Sequence, residues 1–178
     1  MRVKKVIFVT KIVGLKQEDK MESVPIHETK TVQTRLVLPP DTNHLDTIFG
    51  GKVLAYIDEI AALAAMKHAR GTVVTASIDS VDFLSSAKAG DSLTLEAFIT
   101  YTGRSSMEVY VKVTAHDLLK DEKKLTTESF VTMVALNEKG EPKPVRKVHP
   151  ETEETRRLFE TAPLRREIRQ KRMASRKK

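Results

Sequence analysis

Two adjacent glycines open an apolar segment that carries two adjacent carboxylates. In the stretch DTNHLDTIFGGKVLAYIDEIAALAA, residues 41–65, Gly50 and Gly51 come first and Asp58 and Glu59 follow. Glycines at a helix start leave backbone N–H groups unshielded at the positive end of the helix dipole, which suits a phosphate, a carboxylate or a developing oxyanion. Asp58 borders the apolar stripe, where a carboxylate can act as a general base. The alternatives are glycines that only permit close packing and acids that only meet solvent.

Other reactive side chains are few, and their spacing excludes several chemistries. Arg104, Ser105 and Ser106 form a tight turn, where a cation and two hydroxyls can hold a phosphate; a solvated hairpin tip is the alternative. The absence of cysteine excludes disulfides, thiolate zinc sites and cysteine nucleophiles. The histidines lack metal-ligand spacing, so we predict no metal. No Gly-x-Ser-x-Gly elbow exists, which argues against a serine triad.

The segments around these residues predict one long helix and five strands. Apolar residues recur at intervals of three and four from Lys52 to Ala69, and Gly71 follows as the expected end of the helix. Alternating, β-branched stretches separated by turn residues predict strands at 30–38, 72–84, 91–103, 106–118 and 124–136. This order favours an α+β domain in which an antiparallel sheet packs on a single helix.

The charge distribution separates the body of the chain from its C-terminal part. The formal net charge is +7, but residues 139–178 hold fourteen Lys and Arg against six acids. The neutral body argues against a nucleic-acid-binding face. We divide the chain into a loosely structured leader (1–20), a globular domain (21–137), and a basic connector with a helical tail interrupted at Pro163 (138–178). No apolar run approaches the ~20 residues of a membrane span, and we predict a cytoplasmic protein.

Three segments carry a resemblance to a known family. PPDTNHLDTIFGGKVLAYIDEIAALAA, VVTASIDSVDFLSSAKAGDSL and TGRSSMEVYVKV, in this order, resemble the hotdog-fold acyl-CoA thioesterases of the cytosolic acyl-CoA hydrolase family, in its bacterial form. The resemblance covers about residues 30–137. It implies a hotdog fold, with a five-stranded antiparallel sheet wrapped around one long central helix and a C-terminal helical extension. It also implies dimers with active sites at their interface, assembled further into hexamers as trimers of dimers.

The same resemblance implies hydrolysis of acyl-CoA thioesters to a fatty acid and coenzyme A. The catalytic acid falls on Asp58, and the amide that polarises the thioester carbonyl falls on Gly51, with Gly50 beside it. Asp58 either deprotonates a water or attacks directly to give a mixed anhydride. Arg104, Ser105 and Ser106 would meet the phosphates of CoA, which is substrate and product, so no cofactor is expected. The acyl chain would lie between helix and sheet, near Ala61, Ala62 and Ala65.

The loop before the glycines departs from the family pattern. Many relatives have Asn-Gly followed by Asp, Asn or Thr, whereas this chain has Leu45-Asp46-Thr47. Asp46 tolerates a left-handed conformation, so we expect the turn to survive. Thr47 or Asn43, contributed by the partner chain, would orient the water.

Two alternatives to thioester hydrolysis start from the same fold. The first is a non-catalytic acyl-CoA-binding regulatory or interaction protein that uses its basic tail. The second is a hotdog dehydratase, which would need a histidine paired with an acid. His44 is the only histidine near the loop, and its placement does not match.

Overall fold

The computed structural model describes residues 22–175, which form a five-stranded antiparallel sheet packed on one long helix. The expected leader, residues 1–20, lies outside this range. The strands are β1 (Val24–Pro25), β2 (Thr31–Leu36), β3 (Val73–Phe83), β4 (Ser92–Thr102), β5 (Ser106–Asp117), β6 (Glu122–Ala135) and β7 (Val148–His149). The helices are α1 (Gly50–Ala69) and α2 (Glu153–Ser175), with short 3-10 turns at Ile26–Thr29 and Pro39–Asp41. The predicted helix and all five predicted strands are confirmed.

The order of the large sheet is β2-β4-β5-β6-β3, and every neighbouring pair is antiparallel. Strands β4, β5 and β6 are consecutive in sequence and form a meander. Strand β3 follows α1 directly, yet it pairs at the far side of β6. Within residues 22–175 the other edge of β3 pairs with no strand, which leaves eleven residues of unpaired edge.

Alternation along the central strands builds the core against α1. One face of β4 contributes Leu93, Leu95, Ala97 and Ile99, and the matching face of β5 contributes Val109, Val111 and Val113, all at most 1% exposed. The helix buries its small and branched residues against this face, among them Ile57, Ile60, Ala61, Ala64 and Ala65. Truncating a fully buried isoleucine such as Ile57 would cost about 2–5 kcal/mol. The core therefore holds α1 rigidly in place.

The C-terminal end of α1 differs from the sequence prediction. The residue in the left-handed conformation is Arg70, with φ of 48°, and not Gly71. Gly71 instead lies against the connector, because a Cβ at this position would come within 2.6 Å of Lys143 Nζ. The glycine therefore permits a close approach and does not cap the helix.

The C-terminal part of the chain returns to the domain. Strand β7 pairs in parallel with β1, and α2 crosses the sheet face opposite α1, where Phe159 meets Tyr101 at 5.7 Å between ring centroids. The predicted interruption at Pro163 is wrong: α2 runs through this residue as one helix. Proline removes a main-chain hydrogen bond, but burial of Leu158 and Ala162 holds α2 on the sheet. None of the helices in residues 22–175 is long and apolar enough to cross a membrane.

Candidate functional site

The N-terminal end of α1 presents unpaired backbone amides. The N–H groups of Gly50 and Gly51 have no hydrogen-bond partner among residues 22–175, and the first helical bond is from Lys52 N to Phe49 O at 2.8 Å. The N-cap residue, Phe49, makes no side-chain capping bond. A Cβ on Gly51 would meet the Phe49 ring at 2.6 Å. The amides are thus free to bind an oxyanion at the positive end of the helix dipole.

Asp58 is held by a hydroxyl from the edge strand. Thr75 Oγ1 donates a hydrogen bond to Asp58 Oδ1 at 2.7 Å, and Asp58 is half-buried while Thr75 is exposed. This contact leaves Asp58 Oδ2 without a protein donor in the part of the chain that the structure describes. Sequence reasoning missed Thr75. The available signal was a hydroxyl early in the strand that directly follows α1.

Glu59 is exposed, but it is paired with β2 and does not meet solvent alone. Its carboxylate accepts a hydrogen bond from Arg35 at 2.5 Å and one from Gln33 Nε2 at 3.4 Å, both on β2. Arg35 also stacks over the Tyr56 ring, 4.3 Å from its centroid. Glu59 therefore fastens α1 to β2, and the two adjacent acids have different tasks.

The loop leading into α1 is ordered by its own hydrogen bonds. Asn43 Nδ2 donates to Thr47 Oγ1 at 3.1 Å, and Asn43 Oδ1 accepts from the Leu45 amide at 2.8 Å. Asp46 adopts a left-handed conformation with φ of 55°, so the expectation that the turn survives is confirmed. Asn43 and Thr47 thus form one polar unit just before the exposed amides.

The turn formed by Arg104, Ser105 and Ser106 is supported through its backbone. Val145 N donates to Arg104 O at 2.9 Å, and Ala135 N donates to Ser105 O at 2.9 Å. Within residues 22–175 the side chains of the three turn residues make no hydrogen bond or ion pair. The connector and β6 therefore fix the turn, and its cation and hydroxyls are available to a ligand.

A salt bridge neutralises the cation nearest the glycines. Lys52 Nζ lies 3.0 Å from Asp41 Oδ1. This hydrogen bond lowers the pKa of Asp41 and raises the pKa of Lys52. The positive potential beside Gly51 therefore comes mainly from the backbone amides. Across residues 22–175, no group of three or more His, Asp or Glu side chains could hold a metal ion.

A groove begins beside the glycines, away from the alanines expected to border the acyl chain. Ala61 and Ala65 are fully buried in the core, whereas Ala62 is partly exposed. The groove has a volume of about 350 Å³ and is lined by Gly50, Val53 and Phe83, among other residues. This groove therefore lies at the N-terminal end of α1.

The site residues form two groups that are apart in a single chain. The amide group comprises Asn43, Thr47, Gly50 and Gly51, and the acid group comprises Asp58 and Thr75. The turn of Arg104, Ser105 and Ser106 lies near the start of β3, because Ala135 N donates to Ser105 O and Leu136 N donates to Thr72 O. Asp58 follows Gly51 by seven residues, about 10 Å along the helix axis. The N–H groups of the first turn point along the axis away from Asp58. Within a single chain, the Gly51 amide and the Asp58 carboxylate therefore do not face the carbonyl group of one bound substrate together.

Comparison with known proteins identifies the family. A model of the thioesterase superfamily matches residues 45–120, which include both glycines, Asp58 and Thr75. An uncharacterized acyl-CoA thioester hydrolase of Bacillus subtilis is 50% identical over 135 residues, covering 76% of this chain and 78% of that protein. The chain belongs to the acyl-CoA thioester hydrolases.

Solved structures of other acyl-CoA hydrolases share this fold. A hexameric acyl-CoA thioesterase, solved in its apo form, is 69% identical, with a TM-score of 0.84 over 86% of this chain and 98% of that one. An acyl-CoA hydrolase of Staphylococcus aureus, in complex with butyryl coenzyme A, coenzyme A and coenzyme A disulfide, is 46% identical, with a TM-score of 0.83 over 88% and 95%. Other structures of the Staphylococcus hydrolase carry single replacements of an aspartate, a threonine or an asparagine by alanine.

Proposed function

We propose that this hydrolase cleaves acyl-CoA thioesters to a free acid and coenzyme A, with Asp58 activating the attacking water. The observation that carries the proposal is the hydrogen bond from Thr75 to Asp58 at 2.7 Å, which leaves the second carboxylate oxygen free to accept from a water. The amide of Gly51 would bind the carbonyl oxygen as it becomes an oxyanion, and one such donor is typically worth about 3 kcal/mol.

The spacing of the replaced residues in the Staphylococcus hydrolase supports these assignments. Its asparagine and aspartate are fifteen positions apart, and its aspartate and threonine are seventeen positions apart. In this chain the same separations join Asn43 to Asp58 and Asp58 to Thr75. The match favours Asn43 as the residue that orients the water or substrate, with Thr47 as its hydrogen-bonded support.

The two separated groups of site residues lead us to a composite active site. The amide group of one subunit would face the acid group of its partner across a twofold axis at the unpaired edge of β3. Pairing β3 with a second β3 in antiparallel fashion would satisfy that edge and extend the sheet. The CoA phosphates would then meet Arg104, Ser105 and Ser106. The hexameric relative supports assembly of such dimers into a hexamer.

The cell compartment is part of the proposal. We place the reaction in the cytoplasm, where a cysteine-free sequence is compatible with the reducing environment. Cell fractionation with an antibody against the chain tests this location.

Replacement of Asp58 tests the proposed chemistry. We expect Asp58→Asn to lower kcat for butyryl-CoA by about 10²–10⁴-fold, because the general base is lost while shape is kept. Thiol release, followed with a thiol reagent, measures the rate. Glu59→Gln is the matched control, and it should keep near-normal turnover because the side-chain hydrogen bonds of Glu59 within residues 22–175 go to Gln33 and Arg35 on β2.

Two results would contradict the assignment. Near-normal turnover in a folded Asp58→Asn variant would remove Asp58 from the mechanism. A wild-type protein that binds acyl-CoA but releases no thiol would favour the non-catalytic acyl-CoA-binding protein.

A further inference from the structure

The connector that leads from β6 to α2 runs beside the turn that would meet the CoA phosphates. Val145 N donates to Arg104 O at 2.9 Å. The connector also reaches the end of α1, because the Lys143 ammonium lies against Gly71. Three segments therefore meet here, and we call their meeting point the basic corner: residues 70–72, 104–106 and 143–147.

The basic corner holds cations but no acid of its own. Its three segments contain five Lys and Arg residues and neither Asp nor Glu. Lys147 is paired, because its ammonium donates to Gly103 O at 2.7 Å. Two others, Arg70 and Arg146, line a cleft together with an acid, Glu28. The remaining two cations are those of the turn and of residue 143, and within residues 22–175 their side chains make no hydrogen bond or ion pair. Like charges held close together repel, so the corner gains free energy when an anion binds there.

The lack of a partner at Lys143 contrasts with other half-buried cations of the fold. Lys52 Nζ lies 3.0 Å from Asp41 Oδ1, and Arg165 lies 2.7 Å from Glu108 Oε1. Lys143 is also half-buried. Its ammonium gives up part of its hydration and gains no ion pair in return. Because the side chain is still partly exposed, an anion from solvent can supply the missing partner.

Gly71 is the residue that admits this ammonium. A Cβ on Gly71 would come within 2.6 Å of Lys143 Nζ and 3.5 Å of its Cε. Gly90 and Gly140 have positive φ angles, and Gly71 does not, so the backbone conformation does not require a glycine here. The close approach of Lys143 does require one. The pair therefore places a positive charge at the start of β3.

The distance from the basic corner to the proposed reaction centre suits the pantetheine arm of CoA. Gly71 precedes Thr75, the hydrogen-bond partner of Asp58, by four residues, which is about 13 Å of extended chain. The arm has about thirteen bonds between the sulfur and the first phosphorus, or about 15 Å at the reach of an extended chain. A thioester beside Asp58 would therefore bring the phosphates to the basic corner.

We propose that the connector completes the CoA site: Lys143, placed by Gly71, and Arg104 bind the phosphates of the CoA nucleotide and so select CoA thioesters over the same acyl group on a pantetheine arm that carries no nucleotide. An ammonium and a guanidinium both form charge-assisted hydrogen bonds with phosphate oxygens. This inference rests on the proposed thioester hydrolysis and adds the part of the substrate that the site recognises.

The test compares two substrates in the full-length protein. We measure kcat and KM for butyryl-CoA and butyryl-pantetheine in the wild type and in Lys143→Gln. The wild type should favour butyryl-CoA in kcat/KM by tenfold or more. Lys143→Gln should lower kcat/KM for butyryl-CoA about tenfold, mainly through KM, because a charge-assisted hydrogen bond to the bound substrate is lost. Its rates on butyryl-pantetheine should match the wild type, since that substrate has no phosphate.

Two further variants separate the position of the charge from its presence. Lys139→Gln removes the same charge from an exposed lysine of the same connector and should match the wild type on both substrates. Gly71→Ala keeps every charge but displaces the Lys143 ammonium, since the added Cβ would lie 2.6 Å from it. It should raise KM for butyryl-CoA about threefold, with an unchanged thermal midpoint.

The outcomes separate this inference from the proposed function. An unchanged KM for butyryl-CoA in Lys143→Gln would overturn the inference and leave thioester hydrolysis intact. Equal losses on both substrates, or equal losses in Lys139→Gln, would also overturn it, because neither result depends on a phosphate at Lys143. Calorimetric titration with CoA, the product, measures binding without turnover. If the wild type released no thiol but bound CoA about tenfold more tightly than Lys143→Gln, hydrolysis would fail while the phosphate site stood.

Discussion

At the scale of single residues, the proposed reactivity of Asp58 depends on the hydrogen bond that orients its carboxylate as much as on the carboxylate itself. A carboxylate on a helix has several rotamers, and only some would point its free oxygen at a water. Thr75 fixes one oxygen at 2.7 Å and so selects the orientation of the other. A 1 Å misplacement of a catalytic group can cost about 10²-fold in rate. Thr75 therefore acts as a positioning residue for the proposed base.

This role predicts the behaviour of Thr75→Val. We expect kcat for butyryl-CoA to fall about 10–100-fold with KM changed little, because the transition state loses an oriented base while substrate contacts persist. Steady-state thiol release measures both parameters. Thr72→Val, an exposed threonine just before β3, is the control and should match the wild type. An unchanged kcat in Thr75→Val would mean that Asp58 needs no support from β3.

Some of these site residues can be recognised from the sequence, and others cannot, for a physical reason. The placement of Gly51 at the start of α1 and of Asp58 two turns later follows from the local pattern of one helix. Their expected roles came from the resemblance to the family. Thr75 contacts Asp58 from a different element, and that contact depends on how the turn at Arg70 folds β3 back along α1. No local period encodes such a contact, and the hydroxyl alone does not distinguish Thr75 from its neighbours.

At the scale of elements, α2 fastens the edge strand that carries Thr75. Asp79 on β3 accepts hydrogen bonds from Arg169 and Arg172, each at 3.0 Å, and from Thr132 at 2.7 Å. The side chains of Asp79 and Arg169 are only 11% and 12% exposed. A buried carboxylate needs such partners, because its desolvation is costly when a partner is removed. The basic tail thus stabilises the domain.

Loss of one partner should therefore destabilise the fold. We expect Arg169→Met to lower the free energy of unfolding by about 2–3 kcal/mol, since the Asp79 charge stays buried with Arg172 as its remaining cation. Urea denaturation at a fixed protein concentration measures the change. Lys171→Met breaks an exposed pair with Glu167 and should cost less than about 0.5 kcal/mol. Equal small effects in both variants would contradict the fastening role of α2.

The elements themselves were largely predictable, and the two exceptions have separate causes. Strong alternation and one amphipathic period define the five large strands and α1, because each of these elements buries one face in the core. The path of α2 through Pro163 was not predictable, because packing on the sheet overrides a local helix breaker. The pairing of β1 with β7 was also missed, since two-residue strands carry no periodic pattern.

At the scale of the whole molecule, the unpaired edge of β3 and the two separated site groups have one explanation. An eleven-residue edge strand with open hydrogen-bonding groups invites another strand. A twofold axis through the middle of β3 would set the helices antiparallel. The exposed amides of one α1 would then approach Asp58 of the second subunit. The same contact would close the edge and complete the active site.

This arrangement predicts that breaking the β3 contact abolishes both assembly and activity. Ile78 lies at the middle of β3 and is 36% exposed, so a twofold axis would bring two copies of it together. Ile78→Lys would oppose two positive charges there. We expect a smaller assembly by light scattering and at least a tenfold loss of thiol release, while circular dichroism retains the signal of a folded chain.

The opposite edge of the sheet supplies the control that makes this prediction decisive. Val32 on β2 is 54% exposed and lies at the other end of the strand order, so Val32→Lys adds the same charge away from the proposed axis. It should keep the wild-type mass and rate. A folded, monomeric Ile78→Lys variant with full activity would show that one chain suffices for catalysis. If the Ile78→Lys variant kept the wild-type mass of the assembly by light scattering, the subunit interface would lie elsewhere than at β3. A shared active site requires that Ile78→Lys, and not Val32→Lys, lowers both the mass of the assembly and the rate of thiol release.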